Sequence, residues 1–402
     1  MRVFLVGTKN MEAGGLEVLH QFSKCLTDNK IDNFMIYLGD DGINCPTPKA
    51  YLKYGVKYVT SYIDAEDSIL VLAETQLSGL DLCRKGKIMV WWLSVENYLF
   101  SRHRQIIAVN NNIDTYNFKG RSNVIHFAQS YYAKNFVQEI LGIRECYDLK
   151  DYINEEIMDF AGLYSMAYER KNVCLYNPKK GYENLRPVIE ACRTDIEWIP
   201  LEGYKPVEVA ELMCQSKVYV DFGSHPGKDR IPREAAICGC CVLTNQEGSA
   251  RWQEDVRIPD KYKIENTGDI EAVLERIYDL MDHYEERREE YSNYRSAIEE
   301  ERDEFKRDAQ AAVLKLEDFL GQAHTKRHLS PDDALNCDAS LASLNAAADQ
   351  LNRIILAARK DGLRNDYSGV INKLLNVDYL IRVMKETIYM EINVLSLSDS
   401  EK

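Results

Sequence analysis

The segment richest in side chains that could do chemistry runs from Asp221 to Glu234 and reads DFGSHPGKDRIPRE. Its cations Lys228, Arg230 and Arg233 can neutralise the charge of a leaving diphosphate. Glu234 can accept two hydrogen bonds from a vicinal diol such as that of a ribose. Because two glycines and two prolines make the stretch too irregular for packing alone, we favour a ligand-binding loop over a surface network of arginine and glutamate.

Two glycine-containing loops are further candidates for binding phosphate. Gly14 and Gly15 lie between the first predicted strand and the first predicted helix, where glycine lets a phosphate approach the backbone and the helix amides. Lys179, Lys180 and Gly181 occupy the equivalent loop in the second half of the chain. Two ammonium groups beside a helix N-terminus attract the same anion as the helix dipole. An ordinary solvated turn is the alternative at both loops.

Three polar residues of the first half belong to predicted strands or follow them. Glu96 comes directly after a buried strand, and its carboxylate could act as a base on an acceptor hydroxyl or cap the following segment. The sequence leaves both interpretations open. We expect His126, inside a strand, to be a core residue with its hydrogen bonds satisfied, and Ser130 to cap the helix that begins at Tyr131.

Alternating strands and helices must position these loops. In the first half the predicted strands are 2–6, 33–38, 68–73, 87–93 and 123–129, and the predicted helices are 16–26 and 131–141. After a connecting segment, 147–165, the predicted strands are 172–176, 197–201, 217–222 and 240–244, with helices at 182–192, 206–215 and near 232. Strands that are apolar on both faces predict parallel sheets covered by helices.

The alternation predicts two Rossmann-like, doubly wound α/β domains, residues 1–150 and 151–282, with a central cleft between them. Residues 283–402 are predicted to form a long helix and a C-terminal α-helical extension, the latter including a helical stretch at 332–395. The apolar stripes of this extension must be buried somewhere, and a homodimer or a docking contact would bury them.

The composition excludes several classes of protein. With a net charge of −14 and no run of Lys and Arg, the chain lacks the basic face that nucleic acid requires. Its 11 cysteines form no disulfide or zinc-site pattern, which favours a reducing, cytoplasmic location. No apolar run reaches the roughly 20 residues that span a bilayer, so any membrane contact would be peripheral. The N-terminus predicts a strand and not a signal peptide.

The stretch from Lys217 to Thr244 resembles the donor-binding segment of the GT-B glycosyltransferases, the large retaining group that builds bacterial polysaccharides. In that group the segment contains a strand, a loop, a small helix beginning with Leu-Glu-Ala, and a glycine before the next strand. Residues 234–239, EAAICG, match the second half of this pattern. The resemblance implies that Glu234 binds the ribose of a nucleotide.

Three other loops are similar to those of the GT-B group. Lys180-Gly181 resembles the Lys-Gly that follows the first strand of the second domain, which implies a phosphate contact. Gly14-Gly15 resembles the glycine pair of the first domain. Glu202-Gly203 resembles the turn near the nucleotide base.

The resemblance implies a GT-B-like fold and a hexosyltransferase-type activity. The enzyme would move a sugar from a nucleoside diphosphate sugar to a glycan or lipid-linked acceptor in bacterial surface polysaccharide synthesis. No cofactor and no metal are expected, because side-chain cations stabilise the departing diphosphate in this group. Consistent with this expectation, no Asp-x-Asp motif ends a predicted strand in the cleft region.

The chain departs from the GT-B pattern at one position that matters for chemistry. The GT-B group has two acidic residues in this segment, and Glu234 corresponds to the second. The position of the first is Pro226 here. His225, Lys228 and Asp229 are candidates to replace it. We therefore predict Glu96, His225 and Asp229 as catalytic residues, and the sequence leaves the stereochemical outcome open.

Two other functions stay open at this stage. A nucleotide-sugar epimerase of the same fold would turn over its donor without any acceptor. A non-catalytic partner subunit of a glycosyltransfer complex would explain both the missing carboxylate and the long helical tail. Glycosyl transfer is the function that we expect.

Overall fold

The computed structural model describes residues 1–39, 45–101, 118 and 121–321. The first half of the chain forms a seven-stranded parallel sheet in the order β3-β2-β1-β4-β5-β6-β7. Its strands are β1 (Arg2–Thr8), β2 (Asp32–Leu38), β3 (Tyr58–Val59), β4 (Ser68–Ala73), β5 (Lys87–Trp92), β6 (Val124–Ala128) and β7 (Cys146–Asp148). Its helices are α1 (Gly14–Asp28), α2, which includes residues 95–101, and α3 (Tyr131–Asn135).

The apolar strands of this sheet are covered on both faces. Every residue of β4, SILVLA, is buried, as are five of the six residues of β5. On one face, Leu19 and Phe22 of α1 pack with Trp91. On the other face, Trp92 packs with Phe136. Because all the strands are parallel, their carboxyl ends meet at one edge of the sheet.

The second half forms a five-stranded parallel sheet in the order β12-β11-β10-β8-β9. Its strands are β8 (Lys171–Tyr176), β9 (Glu197–Pro200), β10 (Ser216–Asp221), β11 (Cys241–Asn245) and β12 (Lys263–Ile264). The helices around it are α4 (Glu155–Tyr164), α5 (Tyr182–Ala191), α6 (Pro206–Gln215), α7 (Arg230–Ile237), α8 (Ile270–Asp282) and α9 (Tyr284–Glu289). Helix α7 begins within residues 221–234, the segment richest in side chains that could take part in chemistry.

A 30-residue helix, α10 (Ser292–Gly321), joins the two halves. Near its start, Tyr294 and Ile298 belong to the core of the second sheet. Further along, Phe305 and Leu316 belong to the core of the first sheet. The helix therefore crosses from one domain back to the other and buries an apolar stripe against each.

Two predicted elements are wrong in detail. The connecting segment 147–165 contains strand β7 and helix α4. Strand β7 has only three residues, too few to show an alternating pattern, although Asn154 gives α4 a clear N-cap by accepting a hydrogen bond from the N–H of Glu156. The predicted helix 131–141 is α3 followed by a π-helical turn, Phe136–Ile140.

The predicted helical stretch 332–395 lies outside the described residues. Among the described helices, none combines the length and the apolar character that crossing a bilayer demands.

Candidate active site

The loops at the carboxyl ends of the two sheets meet across the cleft. The segment that begins at Leu93, after β5, lies against the loop 222–229, after β10. The backbone N–H of Val95 donates a hydrogen bond of 2.8 Å to the carbonyl oxygen of Pro226. A Cβ atom at Gly227 would lie 2.0 Å from the carbonyl oxygen of Leu93. This close approach therefore requires glycine.

Gly14 and Arg230, which we predicted as donor-binding residues from different halves of the chain, lie next to each other. A Cβ atom at Gly14 would lie 3.7 Å from both Cδ and Nε of Arg230. Ala13, at the N-cap of α1, offers no side-chain cap, and its carbonyl oxygen accepts a hydrogen bond from the N–H of Leu16. The amides of Gly14 and Gly15, which precede Leu16, are those that an anion could use. Gly15 instead packs on Leu93, whose Cδ1 would lie 3.4 Å from a Cβ atom there.

The Arg230 guanidinium is held by carboxylates from outside its own helix. It forms an ion pair with Glu17, which lies one turn into α1, and its Nε donates to Asp151 at 3.1 Å. Glu17 also accepts a hydrogen bond of 2.7 Å from the hydroxyl of Tyr54. An anion that contacts Arg230 must therefore compete with Glu17.

Lys180, Asp229, His225 and Asp221 form a second charge cluster. Nζ of Lys180 lies 3.1 Å from Oδ1 of Asp229, and Oδ2 of Asp229 lies 3.1 Å from Nδ1 of His225. Nε2 of His225 lies 3.3 Å from the carbonyl oxygen of Asp221 and 3.8 Å from its Oδ1. Burial alone would lower the pKa of His225, but the two carboxylates outweigh it and raise that pKa above its ordinary value. Burial alone would raise the pKa of Asp229, but His225 and Lys180 outweigh it and lower that pKa.

Asp221, His225 and Asp229 are also residue types that bind metal ions, and one ligand atom from each lies within 4.8 Å of the others. The two ring nitrogens, however, face different aspartates, and Lys180 contacts Asp229. This arrangement is that of an imidazole held between the carboxylate of Asp229 and the backbone carbonyl oxygen of Asp221, with the Asp221 carboxylate nearby. Metal independence stays a prediction.

Glu96 lies at the same junction. Its Oε1 accepts a hydrogen bond of 2.6 Å from the hydroxyl of Tyr132, whereas Oε2 is buried and has no hydrogen-bond partner in the part of the chain that the structure describes. Burial, followed by the charge of Asp229, raises the pKa of Glu96, while the Tyr132 hydrogen bond and His225 lower it. Glu96 and the predicted catalytic pair of the second domain therefore influence one another across the cleft.

Lys228 and Arg233 are turned away from the glycine loop of α1, into ion pairs with α10. Nζ of Lys228 lies 2.8 Å from Oε1 of Glu301, and Arg233 donates to Oε2 of Glu301 at 2.7 Å. Arg233 also donates to Oδ1 of Asp151 at 2.9 Å and is only 1% exposed. These two cations join the second domain to the crossing helix.

Glu234 is buried in α7. It accepts a hydrogen bond from the backbone N–H of Asn154, and burial raises its pKa against the opposing charges of Arg230 and Arg233. A ribose hydroxyl would have to share the carboxylate with this amide.

Lys179, Glu202 and Gly203 lie at the outer rim. The Lys179 ammonium is 3.9 Å from the Glu202 carboxylate, and both side chains are exposed. Gly203 has a φ of +81°.

Gly181, at a φ of +66°, is pressed against Phe222, whose carbonyl oxygen would lie 2.2 Å from a Cβ atom at Gly181. The loops after β8 and β10 therefore touch, as a shared binding edge requires.

The two remaining sequence predictions agree with the structure. Ser130 caps α3, because its side chain accepts a hydrogen bond from the N–H of Ala133. His126 is a buried strand residue, and its Nδ1 accepts a hydrogen bond of 3.1 Å from Nε1 of Trp92.

Several residues of the site escaped the sequence analysis. The partners of the arginines, Glu17, Asp151 and Glu301, carry no local signal. Glu74 could have been identified from the sequence, because it directly follows the buried strand β4. It accepts a hydrogen bond of 2.9 Å from the N–H of Leu93, and burial raises its pKa to about 7.

No protein-family model matches the chain. No curated protein matches it by sequence either. Among solved structures, it is similar to HepE of Anabaena in complex with UDP-glucose, with 10% identity, a TM-score of 0.54, and coverage of 78% of this chain and 100% of that one. It is also similar to a UDP-forming α,α-trehalose-phosphate synthase of Burkholderia vietnamiensis, with 11% identity, a TM-score of 0.50, and coverage of 81% and 99%. These similarities confirm the predicted GT-B-like fold.

Proposed function

We propose that the chain is a glycosyltransferase that binds a nucleoside diphosphate sugar in the cleft between its two sheets. The observation that carries this proposal is that Gly14 and Arg230, from different halves of the chain, lie side by side, while Lys180 contacts Asp229, the residue before Arg230. A cation beside the N-terminus of α1, with a second cation on the neighbouring loop, suits a diphosphate. The UDP-glucose bound to HepE supports the same class of donor.

In this mechanism Lys180 and Arg230 stabilise the negative charge that develops on the leaving diphosphate. Glu96 accepts the proton of an acceptor hydroxyl while the acceptor oxygen attacks the anomeric carbon. The bond from that carbon to the diphosphate breaks, and its electron pair leaves with the diphosphate. His225 and Asp229, held together by a hydrogen bond, act as a pair beside the reacting sugar.

Glu234 holds the ribose, Glu202-Gly203 flank the base, and Lys179 joins Lys180 in attracting the diphosphate. Lys228 and Arg233, although also predicted to contact the donor, act mainly by holding the second domain against α10. The acceptor is a glycan or a lipid-linked glycan, and the setting is bacterial surface polysaccharide synthesis in the cytoplasm. The reaction needs no metal. Residues 322–402 provide a dimer or docking contact, and membrane contact, where it occurs, is peripheral.

Replacing Glu234 with alanine is expected to abolish the thermal stabilisation that nucleotides confer, because the ribose loses its hydrogen-bond acceptor. A ligand at 100 times its dissociation constant stabilises the wild-type protein by about 2.7 kcal/mol. A panel of nucleotides and nucleotide sugars, followed by thermal unfolding, measures this effect.

Glu190→Ala is the matched control, since this exposed glutamate lies near the opposite end of α5 from the cleft. It should keep the full nucleotide shift. An unchanged shift in Glu234→Ala would remove Glu234 from the site. Nucleotide binding without donor turnover against any acceptor would instead indicate the non-catalytic partner subunit.

A further inference from the structure

Among the described carboxylates near His225, Glu96 has an oxygen without a hydrogen-bond partner, whereas Asp229 and Asp221 do not. Both oxygens of Asp229 are engaged, by Lys180 and His225. Both oxygens of Asp221 accept hydrogen bonds, from Tyr219 and from the N–H of Gly223. Oε2 of Glu96, by contrast, is buried without a partner among the described residues.

One hydrogen bond fixes the orientation of this carboxylate. The hydroxyl of Tyr132 donates to Oε1 of Glu96 at 2.6 Å, within the range of strong charge-assisted bonds. Because Tyr132 donates to Oε1, Oε2 is the carboxylate oxygen of Glu96 that has no partner among the described residues. A base oriented by a third group in this way is the usual arrangement for proton abstraction.

The helix that carries Tyr132 is in turn held by the other domain. Asp255 accepts hydrogen bonds from the backbone N–H groups of Tyr131 at 2.8 Å and Tyr132 at 2.9 Å. The ring of Trp252 lies 5.0 Å from that of Tyr131. These contacts exist only while the loop after β11 lies against α3, so they require the two domains to be together.

We propose that Tyr132 and Asp255 are positioning residues of the transfer reaction, which orient Glu96 only when the two domains meet. This inference rests on the proposed function. Asp255 fixes α3, α3 places the Tyr132 hydroxyl, and the hydroxyl turns Oε2 of Glu96 toward the acceptor. The acceptor proton passes to Oε2, the acceptor oxygen bonds to the anomeric carbon, and the diphosphate departs with the electron pair. The contact with the second domain thus supports the helix that orients the base.

The test replaces Tyr132 with phenylalanine and follows hydrolysis of UDP-glucose, with water as the acceptor. The rate constant kcat should fall about 100-fold, the lower end of the range for general-base catalysis, while KM for the donor changes less than about twofold. The hydroxyl favours the charged carboxylate, so its removal raises the pKa of Glu96. Since the base must be ionised, the acidic limb of the pH–rate profile should move to higher pH.

The charges that face Glu96 and Tyr132 stay in place in this variant: Asp229, His225 and, near Tyr132, Arg251. Tyr147→Phe is the matched control, because Tyr147 also donates to a glutamate, Glu145 at 3.3 Å, but on the exposed surface of β7. It should leave the profile unchanged. Asp255→Asn should also lower kcat, and it should speed hydrogen exchange at the amides of residues 131–133.

A second measurement is independent of turnover. In protein labelled with ¹³C at the glutamate carboxyls, the signal lost in Glu96→Gln identifies Glu96, and its titration in Tyr132→Phe should shift to higher pH. Wild-type turnover with an unshifted profile and an unshifted titration in Tyr132→Phe would overturn the inference and leave the proposed function intact. A wild-type protein that consumes no donor, with or without an acceptor, would overturn both.

Discussion

Replacing Asp151 with alanine is expected to lower the free energy of unfolding by about 3–5 kcal/mol, because it leaves two buried arginines without their shared partner. Asp151 is completely buried and accepts from Arg230 at 3.1 Å and from Arg233 at 2.9 Å. Urea denaturation of the wild-type and variant proteins measures the difference.

The same substitution should change the pH dependence of stability. Burial would raise the pKa of Asp151, but the two arginines outweigh it and hold that pKa below its ordinary value of about 3.9. A carboxyl group whose pKa is lower in the folded protein stabilises the fold at a pH above its pKa in the unfolded chain. This stabilisation is lost as the pH falls through its pKa in the folded protein. The wild-type protein should therefore lose more stability in acid than Asp151→Ala.

Asp81→Ala is the control for both measurements. Asp81 also pairs with an arginine, Arg121 at 2.8 Å, but its side chain is 81% exposed. Such a surface pair contributes about 0–1 kcal/mol. Equal losses in Asp81→Ala and Asp151→Ala would contradict a special role for the buried network.

Replacing Gly227 with alanine is expected to reduce donor turnover by at least about 100-fold while leaving both domains folded, since misplacing catalytic groups by about 1 Å costs this much. The new Cβ atom would lie 2.0 Å from the carbonyl oxygen of Leu93, which belongs to the other domain. The two loops must separate, and Glu96 then moves away from His225 and Asp229. Small-angle scattering should show a larger radius of gyration, and assays of donor turnover should show the loss.

Gly162→Ala is the matched control, because a Cβ atom there meets nothing within 4 Å and the residue lies inside α4. It should keep full turnover and gain about 1 kcal/mol of stability from its better helix propensity. A Gly227→Ala protein with unchanged scattering and turnover would show that the contact between the loops is not needed for activity.

Local patterns were sufficient to predict the architecture and the loops of the site. Apolar strands such as β4 and β5, followed by polar loops and amphipathic helices, define parallel sheets without knowledge of tertiary contacts. The binding edge follows from topology, because every carboxyl end lies on the same side. This reasoning placed Gly14, Lys180 and Arg230 in one cleft from three separate stretches of sequence.

The charge partners could not be predicted in the same way. Arg230 pairs with Glu17, 213 positions away, and Arg233 pairs with Asp151 and Glu301, at separations of 82 and 68. No periodicity connects residues so far apart. The prediction that Arg233 contacts phosphate rested on its residue type, and residue type does not reveal that a partner is already present.

Glu96 shows what the sequence could predict and what it could not. Its place after a buried strand predicted a cleft carboxylate. Whether Glu96 is a cap or a base depends on Tyr132 and on Oε2, which has no partner in the described part of the chain. Only the packing of α3 against the strand end reveals these features. The hydrogen bond from Tyr132 and the nearby charges of the second domain favour the base.

The central claim, that Lys180 and Arg230 bind the diphosphate of a sugar nucleotide, is tested most directly by calorimetric titration of wild-type protein and Lys180→Ala with UDP and UDP-sugars. We predict that the wild-type protein binds at least one of them and that Lys180→Ala binds it about 10- to 100-fold more weakly, as expected for the loss of one charged hydrogen bond. An absence of binding heat with any nucleoside diphosphate or its sugar, or equal affinity in the two proteins, would contradict the account.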